Sequence, residues 1–516
     1  MDRRRFLQYG SATPMAAMLA ACGGGSGDAS SPAPPPAPAP APAPPSPSGG
    51  PSASEWEALG TQLKGVLIRP GHADYERLRR PANARYDALL PQALIRCAGS
   101  ADIQAGLAFA RRLSIAVVPR GGGHSYIGNS TGSGLIIDVG AMDSVRLEGD
   151  LAIVGAGAKL ADVYESLIAQ GRCIPSGSCV SVGIAGITQG GGFGVIDRAY
   201  GLTCDVLRSA RVITADGAEL LCSDSQNTDL FWALRGGGGG NFGIVSEFTF
   251  QTHAVTPLQQ FAADFALVDL PAVLAAWSEW PKTMPDQIWS QLVVSPSGCH
   301  LWGFSIGDEP ALRPHWQSLL AKIGRPALSS LQTPRSYREV MLGACTSLSP
   351  AQCHLPSQNS AGLLGRVAMA ASSDFFDSLT DPQGMAAALS AAVLARRSAG
   401  RPGTVIMNLM GGAIGRVASD ATAFVHRQAL FSAQYYAEYS PATSGSELND
   451  GEQWAYGMRQ TLRPWSSGRA YQNYLDALIT NPEEAYYSSN QARLKQIKAR
   501  VDPTGMFKQP QGITGT

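Results

Sequence analysis

Between residues 90 and 255 the apolar positions fall into short runs broken by glycine-rich stretches, and their spacing switches between two periods. Leu94–Cys97, Ile115–Val118, Leu135–Val139 and Leu151–Val154 are compact apolar runs and are predicted as strands. Ala101–Arg112 instead repeats apolar residues at Ile103, Leu107 and Ala110, which predicts a helix, and a second helix is expected over Lys159–Gln170. Ala210–Thr214 and Glu219–Cys222 flank Asp216-Gly217 and read as a hairpin, and Ile244–Phe250 alternates as a further strand. The mixture predicts a small α+β unit whose loops do the binding. Past residue 256 the texture changes. Five of the nine tryptophans, Trp277, Trp280, Trp289, Trp302 and Trp316, sit among alternating segments such as Ile288–Val294 and His300–Ile306. This pattern predicts an antiparallel sheet backed by helices, with most of the rings in its core and one or two in a pocket. Thr404–Met410 and Leu430–Tyr439 are expected strands of that sheet, and Asn490–Arg500 a late helix. On Leu430–Tyr439 the two-residue period puts Ser432, Gln434, Tyr436 and Glu438 on one face, which is either solvated or the roof of a site.

Composition narrows the classes. Lys plus Arg and Asp plus Glu are equal at 40 each, so no strong field favours nucleic acid or an anionic membrane. The nine cysteines contain no C-x-x-C pair, and neither H-E-x-x-H nor a Gly-Lys phosphate loop occurs, which disfavours structural zinc and phosphate-loop nucleotide hydrolysis. No metal site is expected. Cys345 and Cys353 could pair across a short loop, although spacing alone fixes no connectivity.

The N-terminus reads as an address. Arg3-Arg4-Arg5-Phe6-Leu7 and the short apolar run Ala12–Ala21 form a twin-arginine type signal over residues 1–21, too short to span a bilayer. Leu19-Ala20-Ala21-Cys22 matches a lipobox, so the expectation is an exported protein, periplasmic or on the cell surface, anchored by lipid at Cys22. Cleavage nearby to a soluble product is the alternative. Residues 22–55 are a Gly/Ser and then Pro/Ala spacer. The expected organisation then runs 56–255, 256–460 and 461–516.

Three glycine-rich segments carry the candidate chemistry. Ile174–Gly194 holds seven glycines with Cys179 near its head, and Pro119–Tyr126 contains three glycines followed by His124. Both demand close backbone approach to something flat and bulky, such as a flavin, and each offers one nucleophilic side chain. Gly238-Gly239-Gly240-Asn241-Phe242-Gly243 formally satisfies G-x-G-x-x-G, but it leads into a predicted strand where a dinucleotide fingerprint must open a helix.

Pro119–Gly128, Gly177–Asp205, Asp229–Phe250 and Tyr471–Ile513, in that order, resemble the FAD-linked oxidases of the berberine bridge enzyme-like family. The resemblance implies an α+β fold: a two-subdomain FAD-binding domain of the vanillyl-alcohol oxidase and p-cresol methylhydroxylase type, a substrate domain, and a C-terminal segment that returns to the FAD domain. It implies FAD bonded twice, through His124 to the flavin 8α carbon and through Cys179 to C6. The first loop would contribute Arg120, Gly121, Gly122, Gly123, Ser125 and Gly128. The second would contribute Ser181, Val182, Gly186, Gly190, Gly191, Gly192 and Gly194, with Val245 and Asn473 completing the cofactor site. Where many relatives have histidine, this chain has Ile187. Catalysis would fall to a tyrosine of Tyr471-Gln472-Asn473-Tyr474, with Tyr471 preferred to Tyr474, under Gln434, and with Glu438 as the fallback. A phenol serving as base at neutral pH must have its pKa lowered by neighbouring donors or cations. The implied reaction is oxidation of a C–H bond bearing a hydroxyl, on a sugar, an aromatic alcohol or a secondary metabolite, by a monomer with O2 as acceptor. A dehydrogenase with another acceptor and a lipid-anchored nucleotide-binding protein without turnover are the competing readings.

Overall fold

The computed structural model describes residues 50–515, Ser444 excepted. The signal, lipobox and most of the spacer lie outside the described residues. Among the described residues, no helix is long and apolar enough to cross a membrane.

The chain is an α+β fold built on three main sheets. The first contains β1 (Val66–Ile68), β2 (Ala93–Arg96), β3 (Val117–Arg120) and β4 (Leu135–Asp138) in the order β1-β2-β4-β3. The helix Ser100–Arg112 connects β2 towards β3 and buries Ile103, Leu107 and Ala110, the positions its period selects. β3 starts two residues later than expected and runs through Arg120. The reason is local: Ser114 takes φ 53° and the Ile115 N–H bonds back to Ala110, so the chain leaves the helix before extending. β3 and β4 pair in parallel with Arg120 opposite Asp138.

The second sheet uses β5 (Val145–Glu148), β6 (Leu151–Gly155), β8 (Leu207–Ile213), β9 (Glu219–Ser223) and β10 (Ile244–Gln251) in the order β5-β6-β10-β8-β9. A two-stranded ribbon pairs β7 (Arg172–Cys173) with β11 (His253–Ala254). β8 and β9 form the expected hairpin, and the pseudo-fingerprint glycines open β10 rather than a helix.

The third sheet is wholly antiparallel and seven-stranded. Its strands are β12 (Leu258–Phe265), β13 (Ile288–Ser295), β14 (Gly298–Ile306), β15 (Ser329–Arg335), β16 (Ala368–Phe376), β17 (Thr404–Leu409) and β18 (Phe431–Tyr439), ordered β15-β12-β14-β13-β17-β18-β16. The two-residue period divides its faces. Leu292, Val294, Met407 and Tyr435 pack with Trp277 and Trp316 from the helices behind the sheet. Trp289, Trp302 and Ile406 face the other way, towards the first two sheets. β16 is not evident from pattern, because Ala-Met-Ala-Ala-Ser-Ser-Asp-Phe-Phe is buried at every position and so shows no alternation.

Candidate functional site

A cleft of about 300 Å³ runs between the glycine loops and the open face of the seven-stranded sheet. Its walls come from Pro119–Tyr126, the Gly177–Val195 region, Gly239–Val245 and Tyr471–Leu475, with β13, β14, β17 and β18 opposite. Glycine is required where these loops touch. A Cβ on Gly122 would lie 2.2 Å from the Gly183 nitrogen, so the two loops stack backbone on backbone. At Gly186 a Cβ would meet nothing within 4 Å, which means that the empty space beside this residue belongs to the cleft.

His124 is held uncharged in this wall. Burial pushes its imidazole down to about 4, Lys159 adds to the effect, and a hydrogen bond with the Ser181 backbone opposes it. Its Nε2 is buried without a partner, a cost that a bound group would remove. Cys179 lines the same cleft. A backbone cradle with room beside Gly186 and a neutral imidazole with an orphaned nitrogen together fit a flavin.

The catalytic candidates form a connected aromatic chain. Tyr471 stacks on Phe193 with centroids 4.1 Å apart, Tyr474 meets Tyr471 edge-on at 4.9 Å, and Tyr126 meets Tyr474 edge-on at 5.6 Å. Gln434 Nε2 then donates to Tyr126 Oη at 2.9 Å, so Gln434, on the polar face of β18, lines the cleft rather than facing solvent. Tyr471 Oη accepts from the Gly192 N–H and from Asn473 Nδ2, each at 2.9 Å. These donors favour the phenolate, yet burial outweighs them and, with Cys204 and Asp197, raises the pKa of Tyr471. The expected lowering is therefore not present, and Tyr471 rests protonated at neutral pH. Burial raises Tyr474 as well and pushes Tyr126 up to about 12.

The cleft gathers His124, Cys179, Gly121, Gly122, Gly123, Ser125, Val182, Gly186, Gly194, Val245, Asn473, Tyr471, Tyr474 and Gln434. Other expected residues serve it differently. Arg120 touches the cleft, but its guanidinium is spent on Asp138 at 2.7 Å and on the Leu78 carbonyl, both partners of the ion pair being 4% exposed. Arg120 and Asp138 thus form a buried structural pair. Arg120→Met should strand the Asp138 carboxylate and cost about 3 kcal/mol of unfolding free energy, read from urea denaturation, with FAD affinity of the folded fraction unchanged. Lost affinity at unchanged stability would instead put Arg120 on the cofactor.

Gly128, Ser181, Gly190, Gly191 and Gly192 do not line the cleft. Gly128, at φ 84°, makes room for the Tyr86 ring. A Cβ on Gly190 would lie 2.0 Å from Asn473 Oδ1, Gly191 is pressed by Phe424, and Gly192 abuts Thr203 while donating to Tyr471. This triplet seats Asn473 and Tyr471. Glu438 also lies outside the cleft wall, accepting from Tyr436 Oη at 2.8 Å. Sequence reading did not single out Gln291, Asn408, Trp289 or Trp302 as site residues. Gln291 Nε2 donates to Asn408 Oδ1 at 2.7 Å, and Trp302 Nε1 donates to Gln291 Oε1 at 3.0 Å, forming a polar strip across three strands. Trp289 stands beside Trp302 at 5.4 Å, whereas Trp277, Trp280 and Trp316 are core.

Residues 91–223 match the model of an FAD binding domain and residues 470–514 that of berberine and berberine-like proteins. An uncharacterized FAD-linked oxidoreductase of Bacillus subtilis is 31% identical over 463 residues, covering 88% of this chain and 97% of that protein. A chitooligosaccharide oxidase of Gibberella zeae is 32% identical over 435 residues, covering 80% and 85%. Among solved structures, the xylooligosaccharide oxidase from Myceliophthora thermophila C1 in complex with xylobiose superposes with a TM-score of 0.80 at 25% identity, covering 90% of this chain and all of that one. The chain is thus an FAD-dependent oxidoreductase. It belongs to the berberine bridge enzyme-like family of FAD-linked oxidases.

Proposed function

We propose that this protein oxidises a carbohydrate alcohol with O2 as acceptor, releasing hydrogen peroxide, and that it holds FAD through both His124 and Cys179. The carrying observation is the polar strip formed by Asn408, Gln291 and Trp302, which lines the same cleft as Tyr471. Amides paired with one another beside indole rings offer both donors and acceptors next to flat apolar surface, the combination that a sugar ring with hydroxyls at its edge requires. Support also comes from relatives named chitooligosaccharide, glucooligosaccharide and xylooligosaccharide oxidases.

FAD, when bound, supplies the acceptor for the hydride leaving the carbinol carbon. The chain's own residues do the rest. Tyr471 Oη receives the hydroxyl proton, and the Gly192 N–H and Asn473 Nδ2 lower the cost of the charge there. Gln434, fixed by Tyr126, and the Gln291–Asn408 pair orient the substrate. A panel of mono- and oligosaccharides and aromatic alcohols tests this. Oxygen uptake with matching peroxide is expected for saccharides. Turnover only with an artificial electron acceptor would make the protein a dehydrogenase.

The proposal extends to the cell and the chain. We place the protein outside the cytoplasm, exported through Arg3-Arg4, lipid-anchored at Cys22 and monomeric, with units at 56–255, 256–460 and 461–516. Lysine at both arginines should trap yellow precursor inside the cell and Cys22→Ala should free the protein from membranes. A soluble mature protein beginning beyond Cys22 would refute the anchor.

A further inference from the structure

After β15 the chain leaves the seven-stranded sheet and lies behind the cofactor loops. The helix Tyr337–Met341 leads into a turn closed by a disulfide between Cys345 and Cys353, whose Cα atoms are 5.5 Å apart. The next residue, His354, fixes this strap to the helix Leu160–Ile168 region: its Nε2 lies 2.9 Å from Asp162, which in turn accepts the Lys159 N–H. Four residues on, Gln358 reaches both cofactor loops at once. Its Nε2 donates to the Gly122 carbonyl at 2.8 Å and to the Ser181 carbonyl at 2.7 Å. Its Oε1 accepts the Leu355 N–H at 3.1 Å, and its own carbonyl accepts Arg96 Nη2 at 3.1 Å.

The geometry points to Gln358 as a positioning residue for the cofactor. Gly122 stands two residues before His124, and Ser181 stands two residues after Cys179. A primary amide has two N–H donors in one plane, and both are committed to carbonyls of irregular loops that no strand partner serves. Gly122 also stacks on Gly183, so the carbonyls that Gln358 bridges flank the contact between the loops. The disulfide and the His354–Asp162 pair hold the strap, and the strap holds the amide. Gln358 thereby sets how His124 and Cys179 are presented to FAD, an inference that rests on the reading of those two residues as the flavin's anchors.

The test uses the full chain in its FAD-loaded form as Gln358→Met, which keeps length and removes both donors, and as Gln358→Lys, which restores a donor able to reach both carbonyls. Three quantities are read: flavin retained on acid-precipitated protein, amide hydrogen exchange, and the rate of FAD loss from native protein. Gln358→Met should retain about threefold less flavin and exchange about tenfold faster in residues 121–124 and 179–183, the effect of two lost hydrogen bonds, with the seven-stranded sheet unchanged. Gln358→Lys should recover most of the retention. Normal retention and loop protection in Gln358→Met, or exchange raised equally throughout the chain, would overturn the inference. If the unaltered protein itself releases all its flavin on denaturation, the covalent reading fails separately. Gln358 is then decided by loop exchange and native FAD loss, which Gln358→Met should still accelerate.

Discussion

Tyr471→Phe is expected to slow reduction of the flavin by substrate about 10²–10⁴-fold, the usual contribution of a general base, while the protein still folds and stays yellow. The ring keeps its stack on Phe193 and its edge contact with Tyr474, so only the oxygen and the two hydrogen bonds it accepts are lost. The pH dependence sharpens the test. Burial raises the pKa of Tyr471, so the phenolate is the minor form at neutral pH and its fraction grows about tenfold per pH unit below that pKa. The reduction rate should therefore climb steadily with pH in the unaltered enzyme and lose that slope in Tyr471→Phe. Stopped-flow absorbance at the flavin's visible band measures both. An unchanged rate in Tyr471→Phe together with a slow Tyr474→Phe would move the role three residues along the chain.

His124→Ala with Cys179→Ala is expected to release all FAD on acid precipitation, whereas each single variant keeps one bond and retains its colour on the polypeptide. The expectation for His124 stands on a neutral imidazole, pushed down to about 4, with an orphaned Nε2 at the cleft wall. That for Cys179 stands on its place in the same wall. Peptide mapping of the unaltered protein should find flavin mass on both residues. Colour wholly in the supernatant of the unaltered protein would end the covalent account, while FAD binding itself would stand.

The glycine loops were legible because the residue type reports a demand made on the backbone. What the backbone approaches is not written in the same place. Gly190, Gly191 and Gly192 read as cofactor contacts, yet they make room for Asn473, Phe424 and Thr203, side chains far off in the chain. Arg120 stands in the loop expected to hold the cofactor, but parallel pairing sets Asp138 opposite it, and register between strands is invisible to local pattern. The period on β18 correctly put Gln434 and Glu438 on one face. It could not show that four residues, about 13 Å of strand, carry Glu438 past the cleft. Tyr126 has no role legible from its own loop, because its partner Gln434 is 308 residues away. The strip Gln291–Asn408–Trp302 likewise exists only once β13, β14 and β17 are aligned.

The central claim is that the cleft between the His124 loop and β18 holds an FAD that a carbohydrate alcohol reduces. Anaerobic mixing of the purified yellow protein with an oligosaccharide, followed at the flavin's visible band and then opened to air, addresses it most directly. The account predicts complete bleaching, return of the colour with oxygen, and one peroxide per flavin reoxidised. A protein that is colourless, or one whose colour no saccharide bleaches, would contradict it.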